Sequence, residues 1–571
     1  MRTLFIAVAL LLAAIVAYTQ LVANGGEKST EQLRFIPADT ALLSVHLDPI
    51  NFSDYLAMQV ASLHNPEETI ELLTTVLDTA GNSNTGYFIA ALMEHFQQLI
   101  DEPDQASAVT GIAAEFQALF YLVGASPVLR LELDNEQNFW RWFDRIETQS
   151  QLWHESAELD SVSYRRYALF PMSEHNLELL VSAHNGWGTL VLTSSAFDPE
   201  HHATALAIRK PADPLNWRQD VTPVASNYQL DDATFGWFSS AELLKAITST
   251  DQNRLAKDLH QLFGSELAAQ LADWHSPACQ ADTAIIASNW PGIFFDNQIS
   301  KQPMTSRMVI ASNDQAAVAS LSNLRGFIAP QQPLSLQTSM LQLGLGLNIS
   351  QLLPAVSELW SATSNASFEC APLVDMQTAM KQSNPLAALA MAGMAGSVQG
   401  VSLSLNQLST DPATGMPAAL DALFSVSADN AHSLLQSLLM FYPPLADITF
   451  PEVGEAMELN ELFPMAAAFG LAPTLMITEE HAMIYQGEQA AAQAQTLAGT
   501  ALSQNGLLHF AMDYARLFSA MAEAMAATGT EVPPEFEALQ DAPYQLDMTL
   551  DIEGRGIAIE STMRAHGKAP H

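Results

Sequence analysis

Residues 41–56 read ALLSVHLDPINFSDYL, and residues 340–353 read MLQLGLGLNISQLL, with Asn51 and Asn348 standing 297 positions apart. Each stretch opens with alternating apolar residues, the period-two pattern of a strand with one buried face. Each then passes through Asn and Ser into a helix-like segment. Neither a strand nor an amphipathic helix buries its apolar side alone, so this construction predicts a sheet covered by helices.

The same comparison holds further along the chain. PVLRLELDNEQNFWRWFDRI at 127–146 pairs with ALFSVSADNAHSLLQSLLMF at 422–441, and Asp134-Asn135 and Asp429-Asn430 both stand just before the helix. Asx side chains there accept hydrogen bonds from free helical N–H groups. Next come two hairpins: LELLVSAHNGWGTLVLTSS (177–195), turning at Asn185-Gly186, and PTLMITEEHAMIYQG (473–487), turning near Glu480. FGWFSSAELLKAI (235–247) pairs with LHFAMDYARLFSAM (508–521), and closing antiparallel strands follow in 306–321 and 544–562. Collinear matches of this kind indicate a repeated unit. The expected fold class is α+β: two similar halves from an internal duplication, with mixed or antiparallel sheets flanked by helices. The first half is assigned to 35–330 with a helical insertion near 250–292, and the second to 338–565. The connector falls near APQQPLSLQ (329–337), marked by its prolines and glutamines.

The N-terminus begins MRTLFIAVALLLAAIVAYTQLVANGG, with an uncharged apolar run from Leu4 to Tyr18. Residues 1–23 read either as a signal peptide or as an N-terminal membrane anchor spanning 4–23, with 24–34 as a tether. Both alternatives place the body of the protein in the periplasm or outside the cell, anchored to the inner membrane in the second case. Two cysteines, Cys279 and Cys370, fit an oxidising compartment as a disulfide joining the first half's insertion to the early second half.

Net charge is −40, from 62 acidic and 22 basic side chains among 571 residues, and no Lys or Arg lies between Gln382 and Ala515. Such a surface excludes nucleic acid as a partner and disfavours adsorption to anionic lipid, so membrane contact is expected only through the N-terminal segment. Motifs for nucleophile elbows, zincins, phosphate loops, dinucleotides and calcium are missing from the sequence. LDTAGNSNTGY (77–87) offers one carboxylate, Asp78, and reads as a loop. FDPEHHATAL (197–206) gathers Asp198, Glu200, His201 and His202. Adjacent histidines on a helix diverge by about 100°, and Asp-Pro-Glu suits a helix start, so this is expected to be a solvated N-terminus rather than a metal site. NPLAALAMAGMAGSVQG (384–400) reads as a close-packed helix, and the Met- and Ala-rich ARLFSAMAEAMAATG as core or as an adaptable apolar surface.

The exported start, FIPADTALLSVHLDP at 35–49, the strand–DN–helix units and one Cys per half resemble an uncharacterised family of exported bacterial proteins defined only as a domain of unknown function. The resemblance covers most of 35–565. It implies an envelope location and carries no catalytic residues. The functional expectation is a non-catalytic envelope protein, not an enzyme, with no cofactor and no metal, binding a protein partner or an apolar ligand. A periplasmic lipid carrier and a hydrolase in which Ser, His and a carboxylate converge are the alternatives.

Overall fold

In the computed structural model the chain divides into two compact units, Met1–Ala311 with Phe368–Val374, and Ser312–Ser367 with Asp375–His571. The residues described are 31–59, 83–172, 175–298, 303–330, 339–383, 389, 396–411, 417–441, 450–459, 471–527, 529–533, 536, 539–540 and 544–565. The segment 1–23, Asp78 with its loop, most of the small-residue stretch 384–395 and most of the expected connector lie outside them. The division falls at Ala311–Ser312 rather than at 329–337. Among the described residues no helix is long and apolar enough to cross a membrane.

The first unit contains β1 (Leu42–Asn51), β2 (Glu115–Val123), β3 (Ser126–Glu132), β4 (Glu155–Leu159), β5 (Val162–Met172), β6 (His175–His184), β7 (Trp187–Ser194), β8 (Phe235–Ser239), β9 (Gly292–Gln298) and β10 (Met304–Ala311). They pair antiparallel throughout in the order β4–β5–β6–β7–β3–β2–β1–β8–β9–β10. The β6–β7 hairpin turns on Asn185-Gly186, both at positive φ, as the Asn-Gly pair demands. Among its helices are α1 (Phe52–Gln59), α2 (Ser83–Asp101), α3 (Glu136–Ser150), α4 (Pro199–Ala205), α5 (Ser240–Thr248), α6 (Arg254–Leu271) and α7 (Pro277–Asn289).

Helix α3 shows why this half closes. Asn135 caps it by accepting from Asn138 N, and Phe139, Trp142, Phe143 and Ile146 fall on one stripe and are buried. That stripe packs with Phe88, Phe116 and Tyr167 in one large cluster. Glu147 is also buried and accepts from the Tyr167 hydroxyl at 2.6 Å, from Arg165 Nη1 at 3.0 Å and meets His154 Nδ1 at 2.6 Å. A buried carboxylate is tolerated when it is so fully satisfied. Arg165 also holds Asp144 and lies over Trp140.

The expected Cys279–Cys370 disulfide is formed, and both its cysteines are buried in the first unit. Ser276 caps α7 at Cys279 N, and Asp282 accepts from the backbone N–H of Glu369 and Cys370 at 2.8 Å each. The segment 368–374 is therefore held by a covalent bond and two charge-assisted hydrogen bonds.

The second unit contains β11 (Leu341–Leu345), β12 (Val398–Thr410), β13 (Pro417–Ala428), β14 (Ala456–Glu458), β15 (Thr474–Ile477), β16 (His481–Gln486), β17 (Leu508–Asp513), β18 (Tyr544–Glu553) and β19 (Gly556–Ala565). Their antiparallel order is β14–β15–β16–β13–β12–β11–β17–β18–β19. Among the helices are α8 (Gln315–Ser322), α9 (Ile349–Ser364), α10 (Ala431–Phe441), α11 (Glu488–Ala498) and α12 (Tyr514–Ala527). Asn430 accepts from Ser433 N at the start of α10, as expected of an Asx cap. Arg325 closes a two-pronged pair with Asp551, both contacts at 2.7 Å. Both units are α+β.

Candidate functional site

In β11 the alternation Leu-Gln-Leu-Gly-Leu puts Leu341, Leu343 and Leu345 on one face of the second unit's sheet. The register extends this face strand by strand. Leu343 stands opposite Leu403 and Phe510, Leu403 opposite Phe424, Phe424 opposite Ile484, and Phe510 opposite Met548. The adjoining row runs Val426, Val401, Leu345, Leu508 and Leu550, and the row on the other side contains Leu405, Leu341, Met512 and Leu546. Across the three rows Gln486 and Ser561 are the polar members. At strand and row spacings the face measures about 30 Å by about 14 Å.

Burial on this sheet runs against the usual assignment. Leu343, Leu345, Phe424 and Ile484 are 40–45 % exposed, as is Leu353 on α9 at 41 %. The opposite face is buried and mixes hydrogen-bonded polar side chains with apolar ones. Ser339 donates to Asn406 Oδ1, Asn406 Nδ2 donates to Asp421, and Asp421 caps α11 by accepting from Gln489 N and Ala490 N. Ser427 meets His481 Nδ1 at 2.8 Å, while Gln545 donates to Asp513. Phe327, Leu423, Met483 and Leu497 fill that same buried side. A hollow of about 80 Å³ lies there beside Ser402, Ser404 and Gln493. Leu343, Leu345, Phe424 and Ile484 are thus the exposed members of the face, and Leu403, Val401, Phe510, Leu508 and Met548 around them are half-buried.

The first unit holds a second arrangement, missed in the sequence because its members are far apart. Ser126 Oγ lies 2.8 Å from His201 Nε2, and His201 Nδ1 lies 3.6 Å from Asp258 Oδ2. Asp258 accepts from Ala125 N in the β2–β3 turn, where Gly124 at φ +58° leaves no room for a Cβ beside the carboxylate. Ser126 also meets Thr193 Oγ1 at 2.8 Å. The order is that of a nucleophile, base and orienting acid, but two features oppose that use. Ser126 has 0 % exposure, so no substrate carbonyl reaches it, and 3.6 Å is too long for the hydrogen bond that aligns the imidazole. Burial lowers the His201 pKa to about 3 and raises that of Asp258 to about 7. Each group is thus driven toward its neutral form, and the contact is not an ion pair between a charged imidazole and a charged carboxylate.

His201 and His202 overturn the expectation of a solvated helix end, since both are buried. Asp198 does cap α4 through His201 N, but the rings diverge, His201 toward Ser126 and His202 toward the Ser194 carbonyl, 6.1 Å apart. Among the described residues no cluster of three or more His, Cys, Asp or Glu is arranged to hold a metal. An open groove of about 750 Å³ borders Trp140, His154, Glu158, Tyr164, Arg165 and His184. Its Arg165 is already committed to Glu147 and Asp144.

No family model and no curated protein sequence matches the chain. One solved structure, described as "Structure of crystal form I of TP0453", aligns over 82 % of this chain and 98 % of its own at 8 % identity, with a TM-score of 0.19. A likeness that slight carries no argument on fold or function.

Proposed function

We propose that the chain is an exported, non-catalytic binding protein of the cell envelope, built from two copies of one α+β module. The apolar sheet face of its second copy takes the acyl chains of a lipid. The observation that carries this reading is the exposure of Ile484, Phe424, Leu343 and Leu345 on one apolar sheet face. Protein interfaces set hydrogen-bonding groups among their apolar contacts, whereas these three rows offer almost none, which suits hydrocarbon better. Their length of about 30 Å is that of a bilayer's hydrocarbon core, so the chains of one lipid fit within it.

The duplication is supported by the strand orders. β6–β7–β3–β2–β1–β8–β9–β10 in one unit and β15–β16–β13–β12–β11–β17–β18–β19 in the other run through the chain in the same sequence. Helices follow corresponding strands: α1 and α9 after the first, α3 and α10 after the third, α5 and α12 before the closing pair. Export is supported by the Cys279–Cys370 bond, which leaves no free thiol, together with the apolar segment 4–23. The test is mass spectrometry of an organic extract of the full chain purified from its own envelope. A near-stoichiometric acyl lipid is expected, and a protein that comes out bare and gains no lipid from vesicles refutes the reading.

A hydrolase is the competing reading, favoured by the convergence of Ser126, His201 and Asp258. An activated-serine probe such as a fluorophosphonate separates the two. Labelling that disappears in Ser126→Ala establishes the hydrolase, and no labelling is expected of the binding protein.

A further inference from the structure

We infer that the apolar face of the second unit selects a zwitterionic diacyl phospholipid over an anionic one, an inference that rests on the lipid-binding reading above. The stretch Gln382–Ala515 supplies β12, β13, β15, β16 and β17, the greater part of the face, and carries twelve Asp and Glu with no Lys or Arg. At the end of β13 and in the β15–β16 turn, Asp429 and Glu479 are exposed beside the row of Val426 and Ala482, and Ala431 N donates to the Glu479 carbonyl. Elsewhere in the unit Arg325 is engaged with Asp551, and Arg516 with the Asn406 and Ser339 carbonyls, while Arg555 and Arg564 are exposed at the β19 edge, the far side of the face from Glu479.

An acyl chain laid on this face leaves its headgroup at the rim, since the face has no polar interior to receive it. A headgroup of net negative charge at the β13–β16 end of the face then meets carboxylates with no Lys or Arg on the neighbouring strands, and at low salt that repulsion is felt along this part of the rim. A zwitterionic headgroup adds no net charge and offers its ammonium to the same carboxylates. Hydrocarbon contact supplies affinity, and the rim sets the preference.

The experiment mixes the full chain with vesicles of phosphatidylcholine or of phosphatidylglycerol with matched acyl chains. Protein is separated by gel filtration and its lipid counted by mass spectrometry. Uptake of phosphatidylcholine is expected to exceed that of phosphatidylglycerol about ten-fold at about 10 mM salt, and the ratio to fall toward unity near 1 M, where screening acts within about 3 Å. Replacing Asp429→Lys and Glu479→Lys together is expected to raise phosphatidylglycerol uptake and lower that of phosphatidylcholine, so that the preference shrinks or inverts. Equal uptake at low salt, or a preference for phosphatidylglycerol, overturns the selectivity and leaves lipid binding standing. No uptake of either lipid overturns both.

Discussion

Replacing Phe424→Ser separates a face that waits for a ligand from one that merely completes a core. Burying a Phe side chain fully is worth about 1.5–3 kcal/mol relative to leaving it exposed. Phe424 keeps 42 % of its surface in solvent, so about half of that contribution remains to lose, and the substitution is expected to cost about 1 kcal/mol of folding stability. Phe139 is the internal standard. It is fully buried among Trp140, Trp142 and Phe143, and its truncation to Ala is expected to cost about 3–5 kcal/mol. Urea unfolding of both variants, followed by circular dichroism, yields the two differences, with equal m values establishing that the end states are unchanged. The same Phe424→Ser protein is expected to lose lipid affinity by about ten-fold, since the exposed half of the ring is what an acyl chain covers. A stability loss of 3 kcal/mol or more for lipid-free Phe424→Ser refutes the reasoning, because the ring would then already be sealed by the protein itself.

Other substitutions test the groups around which each region is organised. Glu147→Ala strands the buried Tyr167 hydroxyl and one arm of Arg165, so a loss of about 2–4 kcal/mol is expected in the unfolding of the first unit, read from Trp fluorescence; Tyr167→Phe is expected to cost about 1 kcal/mol. Cys279→Ser with Cys370→Ser releases a link across 91 positions, and chain entropy sets the expected loss at about 4–5 kcal/mol by urea unfolding. The pair His201 and Asp258, with Asp39, Asp198, Arg254 and His202 around it, governs pH dependence in opposite senses. His201 titrates near 3 when folded and in the ordinary histidine range when unfolded, so it makes stability rise with pH between those values. Asp258 titrates near 7 when folded and in the ordinary carboxylate range when unfolded, so it makes stability fall over the overlapping interval. In Asp258→Asn, stability is therefore expected to climb from pH 4 to 6 relative to the parent, by up to about 1.4 kcal/mol per unit, and in His201→Gln to fall. Parallel pH profiles for all three proteins would remove the pair from the account.

Local chemistry was legible in the sequence. Asn-Gly at 185–186 demands a tight hairpin, and Asn135 and Asn430 stand where a helix leaves four N–H groups free. An even pair of cysteines points to a disulfide. Each of these rests on residues that are adjacent or on chemistry that does not depend on distance. The alternation of Leu, Val and Phe in β11, β12 and β13 likewise fixed which residues share a face.

What that pattern could not fix is which face is covered. Period two divides a strand into two sets, and the usual inference that the apolar set is inside fails at β11 and β13 of the second unit, where Leu343, Leu345 and Phe424 are exposed while Ser339, Asn406 and Asp421 are hydrogen-bonded on the buried side. The Ser126, His201 and Asp258 cluster was equally invisible, because its members lie on β3, α4 and α6 and meet only after the sheet and its covering helices have packed. The histidines of α4 were misjudged for the same reason: a helix start looks solvated until another layer is laid over it. Sequence alone determined the elements, their caps and the composition of each face. Tertiary structure decided which face meets solvent and which distant polar groups share a buried site, since burial depends on what the rest of the chain lays over a surface.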